Sequence, residues 1–588
     1  MQGDIPAGTA GDFWAAIGRR WTGAPLASLT SSSSSLAMTD FKAEKRVELR
    51  LVRGAPPQKL TALKLLHFLY LVSPQLFVII PLKIFWHHVL YRRWSPIVQI
   101  LGRAALADSL TKLAQFILSR LHVEQSRIIF NRDRSYRLVH AISPYFRGQW
   151  RSWVERIEVN GTAGRWIAKP GTERKKDEAV LYFIHGGGFV LDTGSNAQEL
   201  LLNVAKQLNL KRGAQCSIFC LDYRLAPEFK YPSQVIEALA GYHYLVNTLG
   251  TSESKICLAG DSAGGNIAAA LLLHLARPAP EILVPVELGK TPGRPGAAFL
   301  ISPYVNLVSR ARSNWTNAHY DFIDAGSGFR ACLDYIGVPP PPRHESPMPS
   351  WNPLYWLVSP NKPAPKGLLE GDLRADESEW SGYRGVELLK NPYVNPSVVQ
   401  DEAWWKEACP PDGKSVVCWG GKEIFADDDE ALYHVLQKSG VAPTKLFKEF
   451  GAHDWILHDW SVPTSWRSRA KGPDKDGFYG LNALCGILQR LAEEGRKSIS
   501  DSDGASIVHN SVEPTMTPSA STIRAPRSKG NAPAERSVSG ASYAEAAAST
   551  ASLADSSAIV NEGEGDVNRL VDSMGESGVM VERAEGRE

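Results

Sequence analysis

"KICLAGDSAGGNIAAALLLHLA", residues 255–276, sets one small polar nucleophile between glycines at the seam of two unlike stretches. Residues 255–259 form a short apolar run suited to a buried strand, and Asn266–Ala276 are rich in alanine and leucine and suit a helix. Ser262 falls on the turn between them. A sharp strand-to-helix turn holds its serine in a strained backbone conformation that lifts the hydroxyl clear, and Gly260 and Gly264 let the two backbones approach. The amides that open the helix point at any anion formed there. The same five-residue pattern also occurs in ordinary turns, so its meaning depends on what surrounds it.

Four further stretches extend the reading outward. "AVLYFI" before His185, "CSIFCLDYR", "KICLAG" and "SVVCWGG" each read as a buried strand ending in a polar or glycine-rich loop. Helical patterns fall between them, as in "NAQELLLNVAKQL" and "SQVIEALAGYHYLV". Alternating apolar strands and helices predict an α/β fold with a mostly parallel sheet covered on both faces, whose chemistry sits at the strand carboxyl ends. At one such end stands "HGGGF", His185–Phe189, where three consecutive glycines leave peptide N–H groups open to close approach. The amides of Gly186 and Gly187, with that of Ala263, could hold the oxyanion of a tetrahedral intermediate; a flexible surface loop is the plainer reading.

A serine also needs a base and a group that orients the base. "TKLFKEF" reads as a strand, and "GAHDWILHDW" after it offers His453, with His458 as its rival. "SVVCWGGKEIFADDDE" places Glu423 in the loop directly after a strand, with Asp427 as the alternative acid. The order Ser262, Glu423, His453 is the nucleophile, acid, base order of the α/β hydrolases.

"HGGGF", "DYRLAPE" (Asp222–Glu228), "GDSAGGN", an acidic loop and a histidine, in that order, resemble the hormone-sensitive lipase family, the α/β hydrolase fold-3 esterases. The likeness covers roughly residues 150–490. It implies that the glycines of the HGGG loop form the oxyanion hole, that Ser262 is the nucleophile and His453 the base, and that "DYRLAPE" is mainly structural. Two departures stand out. Glu423 occupies the place of the family's usual aspartate, and the stretch from about 305 to 412 is expanded, with "VPPPPRHESPMPSWNPLYW" inside it. A long proline-rich, tryptophan-bearing insertion of this kind predicts a lid or a membrane-facing cap, against a plain surface excursion.

The remainder of the 588-residue chain divides by composition. Residues 1–60 carry a serine run and then the basic "FKAEKRVELRLVR" and read as disordered; residues 496–588 are rich in Ser, Ala, Gly and Glu and read as a disordered tail. "LLHFLYLVSPQLFVIIPL", residues 65–82, lacks charged side chains and just reaches the length a bilayer core demands. Residues 61–95 are therefore expected to anchor the protein as a single membrane span or hairpin; a buried helix or an apolar lid is the other reading. The segment starts too far from Met1 for a cleavable signal, and the denser Lys and Arg before it favour a cytoplasmic N-terminus. The hydrolase domain would then be lumenal at the endoplasmic reticulum, in keeping with sequons at Asn160 and Asn314. Residues 96–150, with "DSLTKLAQFILSRL", read as a helical cap region, and residues 151–495 as the hydrolase domain.

The formal charge of +3 shows no concentrated basic face of the kind nucleic acid requires. Seven scattered cysteines form no metal-site spacing and no disulfide framework. The chain is thus expected to be a membrane-associated serine esterase, without metal or organic cofactor, that cleaves small acyl esters of lipophilic alcohols through an acyl-enzyme. An apolar N-terminal segment joined to such a domain also resembles the fungal steryl acetyl hydrolases and the arylacetamide deacetylases. An amidase or arylformamidase-like hydrolase would share every catalytic residue, and a non-catalytic interaction protein could retain the same fold.

Overall fold

The computed structural model describes residues 47–55, 61–82, 123–137, 152–338, 386–458 and 479–508, with a few gaps inside those ranges. Eight strands form one sheet: β1 (Val154–Val159), β2 (Thr162–Ile167), β3 (Ala179–Ile184), β4 (Cys216–Leu221), β5 (Ile256–Asp261), β6 (Ala297–Ile301), β7 (Ser415–Gly420) and β8 (Thr444–Lys448), in the order β1-β2-β4-β3-β5-β6-β7-β8. The β1–β2 and β2–β4 pairs are antiparallel, and every pair from β4 to β8 is parallel. β3 lies between β4 and β5, so the chain leaves β3 toward one edge and returns to build toward the other. The crevice at the carboxyl ends of β3 and β5 is the switch point at which sheets of this type bind ligands.

The principal helices are α1 (Ala62–Pro74), α2 (Val123–Ile129), α3 (Gly194–Lys206), α4 (Ser233–His243), α5 (Ala263–Ala276), α6 (Ala325–Ile336), α7 (Glu402–Ala408), α8 (Ala426–Lys438) and α9 (Tyr479–Val508). Successive residues of β3 serve opposite cores. Val180, Tyr182 and Ile184 join α4, α5 and α8 on one face, while Leu181 and Phe183 join α3 and α9 on the other. This division explains why the strands read as continuous apolar runs rather than as alternating ones.

The predicted strands and helices around Ser262 are present, and α5 begins at Ala263, three residues earlier than its composition indicated. β1, β2 and β6 were not singled out in the sequence. β1 lies on the sheet edge and is mostly exposed, so its alternation is weak. Two domain boundaries differ from expectation. Within the N-terminal region read as disordered, Leu49 is buried in the core, and Val52 bonds to Ser233 and Lys230. At the other end, α9 runs past residue 496 to Val508, and its first half buries an apolar face against the sheet through Leu481, Leu484, Leu488 and Leu491.

The apolar stretch 65–82 lies largely among the described residues, and residues 83–95 of the expected anchor segment lie outside them. α1 ends at Pro74 and passes into a π-helical turn, Gln75–Ile79, and no helix among the described residues is long and apolar enough to cross a membrane. Leu66, Phe77, Val78 and Leu82 remain exposed. The stretch "DSLTKLAQFILSRL", apart from Leu118, and residues 339–385 of the expanded region lie outside the described residues. All seven cysteines are buried. The sequon at Asn314 is buried with its amide donating to Ser309 Oγ at 2.7 Å, so the folded domain does not present it for modification.

Gly264 is required by close approach. A Cβ there would lie 2.1 Å from the Ile184 carbonyl oxygen at the end of β3, which backbone cannot evade. Gly264→Ala is expected to lower stability by about 3 kcal/mol or more, read as a fall in the denaturation midpoint. An unchanged midpoint would show that α5 and β3 do not meet here.

Candidate active site

Ser262 sits at the end of β5 with φ +51 and ψ −118, conformationally strained for a residue with a Cβ. The strain is held by backbone bonds. Its N–H donates to the Ile301 carbonyl at 2.9 Å, and its own carbonyl accepts from the Tyr304 and Asn266 amides at 2.9 and 3.1 Å. Both predicted features of the turn are therefore present: the kinked backbone and the helix that starts immediately after it.

The HGGG loop lies directly beside this turn, since a Cβ on Gly186 would meet the Asp261 carboxylate and, at 3.0 Å, the Ser262 Cβ. Gly187 has φ +101 and Gly188 φ +59, which explains the glycines. Among the described residues the Gly187 amide has no hydrogen-bond acceptor, and that of Ala263 has none outside its own helix. The Gly186 amide instead neighbours the Asp261 carboxyl and helps to hold its charge.

The loop is braced from behind. Tyr223 of "DYRLAPE" donates its hydroxyl to the His185 carbonyl at 3.0 Å and stacks on the His185 ring at 4.3 Å. Asp222 pairs with buried Arg165 at 2.8 Å. Arg132 bonds Asp192 and also the Asp222 and Tyr223 carbonyls, and Arg127 of α2 donates to the Val190 carbonyl at 2.8 Å. Part of the expected cap region therefore grips the oxyanion loop. The insertion does so as well, as Tyr335 of α6 stacks on Phe189 at 3.8 Å.

Glu423 and His453 meet. Glu423, fully buried after β7, brings Oε2 to 3.6 Å from His453 Nδ1, slightly beyond hydrogen-bond length. Ser302 at the end of β6 donates to that same Oε2 at 2.7 Å and accepts from the Asp454 amide at 3.0 Å. Asp427 is directed elsewhere. Its Oδ2 accepts from the Ser313 amide at 2.8 Å at the start of α8, away from the imidazole. His458 closes a single turn, Trp455–His458, at the very end of the described range, and its side chain lies outside the described residues.

Three carboxylates that sequence reasoning missed complete the surroundings of His453. Asp321, contributed by the insertion, accepts from the Ile424 amide at 2.8 Å and the His453 amide at 3.4 Å, fastening the acid loop to the histidine loop. Asp454 Oδ2 lies 3.3 Å from His453 Nε2. Asp429 of α8 is buried beside Glu423, and burial followed by the Glu423 charge pushes its carboxyl well up. "AHDW" displayed Asp454 next to the histidine, but nothing local could reveal that Asp321 crosses more than a hundred residues to reach both loops. Phe322 and Phe425 present ring edges to the imidazole at 5.6 and 5.2 Å. The Ser262 hydroxyl makes no hydrogen bond among the described residues.

The electrostatics of this pocket are dominated by burial. Burial would depress the imidazole, but Asp454, the Glu423 contact and Asp321 outweigh it and raise His453 to about 10. Burial raises Asp261 to about 7, Asp321 to about 6 and, on α4 away from the site, Glu237 to about 7. Such acids keep protons in the folded state that the unfolded chain has already released above about pH 4, so each favours unfolding as pH rises toward its folded value. His453 adds stability that is complete below its unfolded value near 6.5 and lost as pH climbs through 10. The melting temperature is therefore expected to be higher at pH 5 than at pH 8 by scanning fluorimetry; a rise over that interval would contradict these assignments.

A serine on a strained turn, free amides beside it and a buried imidazole against a carboxylate can together support acyl transfer. Comparison with known proteins agrees in kind. A family model described as the alpha/beta hydrolase fold matches residues 181–355. "Lipase 2" of Moraxella sp. (strain TA144) is 33% identical over 359 residues, covering 59% of this chain and 70% of the lipase. An "Acetyl-hydrolase" of Streptomyces hygroscopicus is 29% identical over 196 residues, 33% of this chain and 59% of that protein. "Hormone-sensitive lipase" of Mus musculus is 38% identical over 104 residues, 17% of this chain but only 13% of the lipase.

Proposed function

Because the chain belongs to the hormone-sensitive lipase family of α/β hydrolases, we propose that it is a serine esterase that cleaves small acyl esters of lipophilic alcohols through an acyl-enzyme. The observation that carries this reading is the strained Ser262 turn set beside the Gly187 and Ala263 amides, with His453 against Glu423 at the neighbouring strand ends. Ser262 Oγ attacks the ester carbonyl while His453 takes its proton. Glu423 holds the ring and supports the imidazolium that forms. The Gly186, Gly187 and Ala263 amides receive the oxyanion. Donation of the same proton to the alcohol expels it, and water activated by His453 then releases the acid.

The small acyl group is supported by the way Phe189, Tyr335, Tyr304 and Phe425 form a packed aromatic series beside the oxyanion loop. The lipophilic alcohol is supported by the exposed apolar side chains Leu66, Phe77, Val78 and Leu82, which suit contact with a lipid surface. Hydrolysis of a p-nitrophenyl ester series tests this reading. Acetate and butyrate are expected to exceed palmitate in kcat/KM, and a preference for palmitate would replace the small-acyl assignment.

A further inference from the structure

His453 Nε2 is the nitrogen that must receive the Ser262 proton, and in the structure that nitrogen faces a different group. Asp454 Oδ2 lies 3.3 Å away, whereas Ser262 has no hydrogen bond to the ring. An imidazole nitrogen has one in-plane direction for a proton. If Nε2–H is donated to Asp454, the nitrogen has no lone pair with which to accept from serine.

The position of Asp454 is fixed. Its backbone is held at φ +53, its amide donates to Ser302 Oγ at 3.0 Å, and Ser302 in turn donates to Glu423 Oε2 at 2.7 Å. Asp454 is itself buried. Burial, with the neighbouring Asp261 that precedes Ser262, pushes its carboxyl well up, and the His453 charge draws it back. Asp454 therefore spans the gap between the base and the strand end that carries the serine.

We propose that Asp454 is a positioning residue that holds His453 in a resting, proton-bearing state and thereby moves the working range of the enzyme toward alkaline pH. The inference rests on the assignment of His453 as base in the proposed esterase. In the resting state Nε2–H is donated to the Asp454 carboxylate. Loss of that proton to solvent, with Asp454 turned from the ring, frees the Nε2 lone pair for Ser262. Among the described residues each carboxyl facing the imidazole, to the extent that it is ionised, acts in the same sense: Asp454 on its own loop, Glu423 after β7, Asp321 from the insertion and Asp261 at the end of β5. Against these stand only burial and the uncharged edges of Phe322 and Phe425, and the imidazole of His453 is raised accordingly.

The test is the pH dependence of kcat/KM for p-nitrophenyl acetate and of fluorophosphonate labelling rate, from pH 5 to 10, with the full chain. Asp454→Asn removes the charge and keeps the shape, and Asp454→Gly suits the positive φ, so both retain the local backbone. The wild type is expected to show an acid limb centred well above 6.5. Both variants should shift it down by at least about one unit, which gives roughly tenfold more activity at pH 6. A wild-type limb at or below 6.5 overturns the proposal without any variant. So does an unmoved limb in the folded variants, or loss of their activity at every pH. His453→Ala separates the two ideas, since undiminished activity in that variant would remove the esterase assignment itself, whereas an inactive His453→Ala with an unmoved Asp454→Asn limb removes only the role of Asp454.

Discussion

Ser262→Ala is expected to abolish ester hydrolysis, with kcat falling on the order of a million-fold, the scale seen when a serine hydrolase loses its nucleophile. Among the described residues nothing else in the pocket can replace it. No second hydroxyl occupies the turn, and Ser302, the next serine at a strand end, is fully buried with its hydroxyl committed to Glu423. Alanine at φ +51 bears the same backbone strain as serine, and Ser262→Gly relieves it, so the pair distinguishes chemistry from folding. Both variants should melt normally, with glycine at least as stable as alanine, and neither should turn over p-nitrophenyl acetate. Measurable saturable turnover by either variant would place the chemistry elsewhere.

The second large effect is the contrast between Glu423 and Asp427. Glu423→Gln retains the volume and the bond from Ser302 but removes the charge that faces His453 Nδ1. It is expected to lower kcat by about ten thousand-fold, the size of the loss when a triad carboxylate becomes an amide. Asp427→Ala should leave kcat within about threefold, because its carboxylate only caps the Ser313 amide, a contact on the scale of about 1 kcal/mol. Steady-state kinetics on the two variants decide the matter. Equal losses, or a larger one in Asp427→Ala, would reverse the assignment of the acid.

The core of the fold was legible because it is locally encoded. β3, β4, β5 and β7 are buried on both faces and therefore appear as uninterrupted apolar runs ending in glycine or a charged loop. The Ser262 turn was legible for a related reason, since the glycines there answer steric demands made within a few residues. β1 was not, because an exposed edge strand needs little apolar sequence. The ordered contacts of Leu49 and Val52 were equally hidden, as a charged stretch such as "FKAEKRVELRLVR" can bury single side chains without any periodicity.

The site followed the same division. Glu423 could be chosen over Asp427 because the loop directly after a strand returns to the carboxyl end of the sheet, whereas four residues later the chain has already entered α8. Ser302, Asp321 and Asp454 act through tertiary placement. Ser302 joins β6 to loops from β7 and β8, and Asp321 joins the insertion to both. The apolar stretch 65–82 meets the bilayer's length requirement by composition, whereas the passage at Pro74 into a π-helical turn depends on backbone geometry that composition does not display.

The most direct test of the account is active-site titration of the full chain with a fluorophosphonate, followed by peptide mapping of the adduct. The account predicts one phosphonyl group per chain, on Ser262, formed in parallel with loss of esterase activity and prevented by His453→Ala. An adduct on another residue, or ester turnover that persists while Ser262 remains unmodified, would contradict it.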